Sequence, residues 1–123
     1  MQFKIPKNTE KYEWTQHAAF KMKQYGLTAQ RILRVVKNPQ RTEEGIVKNT
    51  IAVMQPASLR TKDGKRVWSQ EIWAMYQLRS RGAISKSQIS ISKIRLISAW
   101  RYPGVSPKRD PIPEEILREL NLG

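Results

Sequence analysis

The sequence predicts an α+β fold, with an N-terminal helical hairpin packed on an antiparallel sheet of three or four strands and a helix at the C-terminal end. Three observations predict it. Residues 14–38 carry two helical stretches with marked ends, residues 40–102 change to strand texture, and a Pro-rich connector then leads into a short amphipathic stretch. Helices and strands that are segregated along a chain, rather than alternating, favour α+β over a parallel α/β sheet.

Residues 1–13 are polar and basic and read as an arm or a short edge strand. In the first helix Thr15 supplies an N-cap and Gly26 a C-terminal stop, while Ala18, Met22 and Tyr25 fall at i, i+4 and i+7 and share a buried stripe. His17, Lys21 and Gln24 repeat that spacing on the neighbouring face. Thr28 caps a second helix whose apolar face is Ala29, Ile32, Leu33 and Val36, whose Arg31 and Arg34 point outward, and which Asn38-Pro39 end.

Strands follow. Arg41–Glu43 is a short one before a turn at Glu44-Gly45, and Ile46–Gln55 is the next, with Ile51 and Val53 on one face and Pro56 as its stop. Ser58–Lys65 reads as a polar loop holding a tight turn at Asp63-Gly64. Arg66–Arg79 carries Trp68, Ile72, Ala74, Tyr76 and Leu78 on one face and Trp73 and Met75 on the other, which marks a central strand covered on both sides. A basic loop, Ser80–Gln88, leads to Ile89–Tyr102. At ~3.3 Å per residue that run would span ~45 Å, so a bulge is expected, between Ser92 and Ile94. Beyond it Ile94, Leu96, Trp100 and Tyr102 share an apolar face, opposite Lys93, Arg95 and Arg101. Residues 103–113 are the connector. Glu114 and Glu115 then open a helix that docks through Ile116, Leu117 and Leu120. The chain thus divides into an arm (1–13), an α+β domain (14–102) and a connector with its helix (103–123).

Charge is the outlier. Among 123 residues, 23 Lys and Arg face 10 Asp and Glu, a net charge of +13. Nucleic acid is the commonest partner for such a balance, ahead of an acidic membrane surface or an acidic protein. From Arg79 to Arg109 there is no acidic residue at all. The absence of cysteine excludes disulfides and thiolate metal sites, and a single histidine excludes a multi-His metal centre, so neither metal nor cofactor is expected. No apolar leader or membrane span is visible, which makes the cytoplasm the default location.

The segment Trp-Thr-Gln-His-Ala-Ala-Phe-Lys-Met-Lys-Gln-Tyr-Gly-Leu-Thr (14–28), with Asn38-Pro39 after it, resembles the opening of a bacterial and phage domain family of uncharacterised function. That family is similar to the RelE and BrnT toxins, in which a helical pair lies on a small antiparallel sheet and the activity is messenger-RNA cleavage. Arg95–Tyr102 also resembles the Arg-Ile-Ile-Ser-Ala-Arg strand of BrnT. This chain has Trp100 where that pattern has arginine, and Arg101 comes one place later, on the other face unless a bulge restores it. The resemblance implies a metal-independent endoribonuclease, a toxin whose partners are RNA, free or ribosome-bound, and an acidic antitoxin. A non-catalytic RNA- or ribosome-binding module and a basic protein-interaction domain are the alternatives.

Cleavage of RNA without a metal needs a base, an acid and cations on the phosphate. His17, in the first turn of its helix, is the expected base, or else a residue that packs the hairpin onto the sheet. Arg101 and Tyr102 complete the catalytic set, Tyr102 as an acid or stacking group by analogy with RelE-like enzymes, or as ordinary amphipathic packing. Arg79, Arg95, Lys93 and Lys21 are the expected phosphate ligands. Glu71 is either a structural ion-pair partner or a carboxylate that orients a base. The Lys62-Asp63-Gly64-Lys65-Arg66 turn is a cationic tip, by itself a weak nucleic-acid signal.

Overall fold

The computed structural model describes residues 5–45, 49–79 and 93–120, with Arg79 described by its backbone alone. In chain order the elements are β1 (Tyr12–Trp14), α1 (Gln16–Tyr25), α2 (Ala29–Lys37), β2 (Arg41–Glu44), β3 (Thr50–Pro56), β4 (Arg60–Lys62), β5 (Lys65–Val67), β6 (Gln70–Arg79), β7 (Lys93–Pro103) and α3 (Glu114–Glu119). The fold is α+β with its terminal helix, as the element order predicts. The sheet is larger than expected and mixed: five strands in the order β1-β7-β6-β3-β2, with β1 parallel to β7 and the other pairs antiparallel. Part of the expected N-terminal arm is therefore an edge strand, held where Asn8 and Thr9 side chains accept from the Trp14 and Tyr12 N–H groups. Residues 46–48 and 89–92, expected as parts of strands, and the loop 80–88 lie outside the described residues.

Both faces of the sheet are covered. The α1–α2 hairpin closes one face over Val53, Ile72, Ala74, Leu96 and Ala99, to which it adds Ala18, Met22, Leu27, Ile32 and Val35. Both caps form as the sequence predicts: the Thr15 and Thr28 side chains accept from Ala18 and Arg31 N–H, and Gly26 is left-handed at φ 66. On the opposite face, Trp73 and Trp100 stack with centroids 6.0 Å apart, and Ile112 and Ile116 cover them together with Ala52, Met54 and Met75. The connector 103–113 contributes to this core at three points: Ser106, Pro111 and Ile112 are buried, and the Trp100 indole donates to the Pro111 carbonyl. β6 lies in the middle of the five strands and is covered on both faces, as its two rows of large apolar residues require.

Two expectations are corrected. The run from Arg66 to Arg79 is not one strand, because β5 belongs to a separate two-stranded ribbon with β4 and β6 begins at Gln70. Trp68 sits in the intervening turn and packs on the Trp73–Trp100 face. The bulge lies at Ile97, not between Ser92 and Ile94: Met75 pairs with Ser98 and Tyr76 with Leu96, which leaves Ile97 unpaired. The extra residue reverses the alternation. Ile94 and Leu96 therefore share the hairpin face with Ala99 and Arg101, whereas Trp100 and Tyr102 lie on the α3 face with Arg95 and Lys93. Register is regular from Ala99 to Arg101, so no bulge brings Arg101 to the side of Trp100.

Candidate nucleic-acid interface

His17 and Lys21 come together, but in a contact between helices. The Ile97 carbonyl, freed from the ladder by the bulge, accepts from the Thr15 hydroxyl (3.1 Å) and from His17 Nδ1 (3.2 Å). His17 Nε2 lies 3.0 Å from the Glu119 carboxylate of α3. Lys21 is fully buried, and its ammonium donates to Gln24 and Glu115 (2.9 Å each) and to Glu119 (2.7 Å). Three acceptors use all three of its N–H groups. Burial alone would pull Lys21 down, but its hydrogen bonds to Glu119 and Glu115 hold it above its ordinary value. Burial pushes Glu119 up, yet Lys21 and His17 leave it below the usual carboxylate range, and Lys21 and Gln24 do the same for Glu115. Neither ring nitrogen of His17 nor the Lys21 ammonium faces open solution unpartnered.

The other expected site residues are scattered. Arg101 sits on the hairpin face, where Nε donates to the Tyr25 carbonyl (2.8 Å) and Nη1 to Gln70 (3.0 Å). Tyr25 is eight residues along α1 from His17, a rise of about 12 Å. Tyr102 is on the opposite face, packed beside Trp100. Arg95 shares that face, with Nε 3.6 Å from Glu13, and Lys93 is half-buried at the start of β7. The Arg79 side chain lies outside the described residues. The one-sided arginine row expected along β7 is therefore split between two covered faces. Glu71 is structural: it is buried, and it accepts from the Trp68 and Trp73 indoles (2.9 Å each) and from the Ser106 hydroxyl (2.6 Å), with Arg41 at 3.8 Å. Burial raises its pKa, but these hydrogen bonds, led by Ser106, leave it below the ordinary value.

The groove of about 260 Å³ beside α1 is lined by Ile5, Trp14, Phe20 and their neighbours, without His17. Among the described residues, no three His, Asp or Glu side chains are placed to hold a metal ion, and no helix is long and apolar enough to cross a membrane.

Uncommitted positive charge collects instead at one end of the sheet. Between Pro56 and Gln70 the chain leaves the sheet as the β4–β5 ribbon, whose six strand residues are all exposed. Asp63 (φ 52) and Gly64 (φ 76) form its two-residue turn, the left-handed pair that matches the twist of a hairpin. The register Arg60–Val67, Thr61–Arg66, Lys62–Lys65 puts Arg60, Lys62 and Lys65 on one side of the ribbon and Arg66 on the other. Arg31 stands at its root, donating to Gln55 (2.7 Å) and to the Pro56 carbonyl (3.2 Å), and Arg101 is held there by Gln70. Burial, then the charges of Arg34 and Arg101, pull Arg31 below its ordinary value. Among the described residues no carboxylate pairs with Arg31, Arg34 or Arg101. Asp63 is the one acid against the four cations of the ribbon.

From the sequence Arg31 and Arg34 are legible only as outward-facing residues of their helix, and the ribbon turn only as a weak nucleic-acid signal. The usable signal was the Asp-Gly turn flanked by residues too polar to enter a core. Compared with known proteins, the chain matches no family model, no curated protein and no solved structure.

Proposed function

We propose that this chain is a non-catalytic nucleic-acid-binding module that grips the phosphate backbone with the cationic end formed by Arg31, Arg34, Arg101 and the β4–β5 ribbon. The observation that carries this reading is the pair of guanidinium groups at the ribbon root, Arg31 and Arg101, held in place by neutral acceptors and paired with no carboxylate among the described residues. Arginine held by neutral partners keeps its charge for an incoming anion, and the fork suits phosphate oxygens. A net charge of +13 supports long-range attraction of a polyanion to this end.

The ribonuclease that the resemblance to RelE and BrnT toxins implies has less support. A general base must reach the 2′-hydroxyl proton, and His17 is held by Ile97 and Glu119 while Arg101 and Tyr102 lie on opposite faces. Binding and cleavage separate in one experiment: labelled RNA and DNA are titrated with the protein in EDTA across roughly 50 to 200 mM salt. The expected outcome is intact nucleic acid and affinity that falls steeply with salt. Arg31→Gln with Arg101→Gln should lower the log–log salt slope by roughly 0.7–0.9 per removed cation. His17→Gln should leave binding unchanged. EDTA-resistant cleavage that disappears in His17→Gln would restore the enzyme, and salt-independent or absent binding would refute the module.

A further inference from the structure

The ribbon says more than that the partner is anionic. Resting on the nucleic-acid reading above, we infer that β4–β5 enters the major groove of B-form DNA and reads base edges there, while Arg31, Arg34 and Arg101 at its root hold the flanking phosphates.

Shape is the first argument. Two paired strands lie about 4.8 Å apart, and three residues per strand extend about 10 Å at ~3.3 Å each. The B-DNA major groove, about 12 Å wide and 8.5 Å deep, admits such a ribbon, whereas the minor groove, about 6 Å wide, does not. The major groove of A-form RNA is deep and too narrow for side chains to read. Composition is the second argument. Single-stranded nucleic acid is usually held by bases stacked on aromatic rings, and residues 60–67 contain none. An exposed two-stranded ribbon is also marginal by itself in water, so walls on both sides would complete it.

The chemistry of the ribbon fits base edges. Arg60, Lys62 and Lys65 on one side offer only donors, which suit the O6 and N7 acceptors of guanine. Asp63 at the tip would be repelled by phosphates, yet the tip points to the groove floor, where the cytosine amino group is a donor for a carboxylate. The single acid of the ribbon thus sits where an acid has a use. Donors for guanine and an acceptor for cytosine together predict preference for G·C pairs.

The test compares one G·C-containing sequence as DNA duplex, RNA duplex and single strands by fluorescence anisotropy, with the DNA also prepared with 7-deazaguanine, which lacks the N7 acceptor. The expected result is binding to the DNA duplex at least about tenfold tighter than to the RNA duplex, competition by methyl green from the major groove but not by netropsin from the minor groove, and loss of about tenfold on 7-deazaguanine substitution. The ribbon variant Arg60→Gln/Lys62→Gln/Lys65→Gln should lose the 7-deazaguanine effect. The root variant Arg31→Gln/Arg34→Gln should weaken all duplexes alike and keep it. Ribbon residues contribute nothing to either core, and retention of the near-ultraviolet signal of the Trp73–Trp100 pair verifies that the variants are folded. Equal or tighter binding to RNA or single strands, or indifference to 7-deazaguanine, overturns the major-groove assignment and leaves the phosphate-gripping module standing. Failure to bind any of these nucleic acids at low salt removes both.

Discussion

At Glu71 a buried carboxylate meets the Trp68 and Trp73 indoles, the Ser106 hydroxyl and backbone N–H, and Arg41 beyond them. Arg41 also lies 5.1 Å from the Trp73 ring centroid and donates to the Ser106 and Pro107 carbonyls, so one carboxylate organises the crossing of residues 104–110 over the sheet. Removing it leaves several donors without acceptors in a dry site. Glu71→Ala is expected to cost about 3–5 kcal/mol, the range for stripping one partner from a buried charged network. Glu71→Gln, which keeps one acceptor oxygen, should cost less than half as much. Denaturant midpoints of the two variants check this, and equal midpoints would mean that the retained acceptor oxygen contributes nothing and the lost charge carries the whole cost. Glu71 is legible as the lone acid of a hydrophobic strand, but its partners are not, because Ser106 is 35 residues away and strict alternation along one strand puts Trp68 on the opposite face.

Among the elements, α3 depends most on its neighbours. Six residues make too short a helix to be stable by themselves, and Ile116, Lys21 and His17 hold it down. Lys21→Met removes a charge but leaves Glu115 and Glu119 facing each other across the gap. The expected cost is about 1–3 kcal/mol, below the fully buried range because both carboxylates still touch water. The same contacts set a pH window. Glu71, Glu115 and Glu119 have folded pKa values below their ordinary ones, so near pH 4 the unfolded chain binds more protons. Their stabilisation is complete above the ordinary carboxylate range and is lost as pH falls through the folded values. Lys21 is raised, so its share is complete below its ordinary value and is lost as pH rises through the folded one. Thermal midpoints should be flat through neutral pH and fall on both sides. Glu115→Gln/Glu119→Gln should flatten the acid limb, and an unaltered limb would contradict the assignment.

For the molecule as a whole, the sheet faces decide what is core and what is surface. A chain ending at Pro103 would expose Trp73, Trp100, Met54 and Met75, so it should lose cooperative unfolding and the near-ultraviolet signal of the stacked indoles. A truncated chain that melts cooperatively would show residues 103–113 to be a linker after all. With both faces covered, the proposed nucleic-acid contact falls on the cationic end of the sheet, at Arg31, Arg101 and the ribbon, rather than on the β7 arginines.

The sequence by itself determined both helix caps, the central place of β6, the Asp63-Gly64 turn and the docking face of α3. Each of these depends on residues within a few positions of one another: a hydroxyl three residues before an N–H, a left-handed glycine, an alternation of period two. Tertiary structure alone decided where β7 bulges, and one unpaired residue at Ile97 exchanged the faces of Arg101 and Trp100. It alone decided that Lys21 is sealed, since the carboxylates that hold it arrive from 94 and 98 residues further on. Local steric and hydrogen-bonding preferences can be read from neighbours in the chain, but the fate of a charge depends on what the fold brings against it.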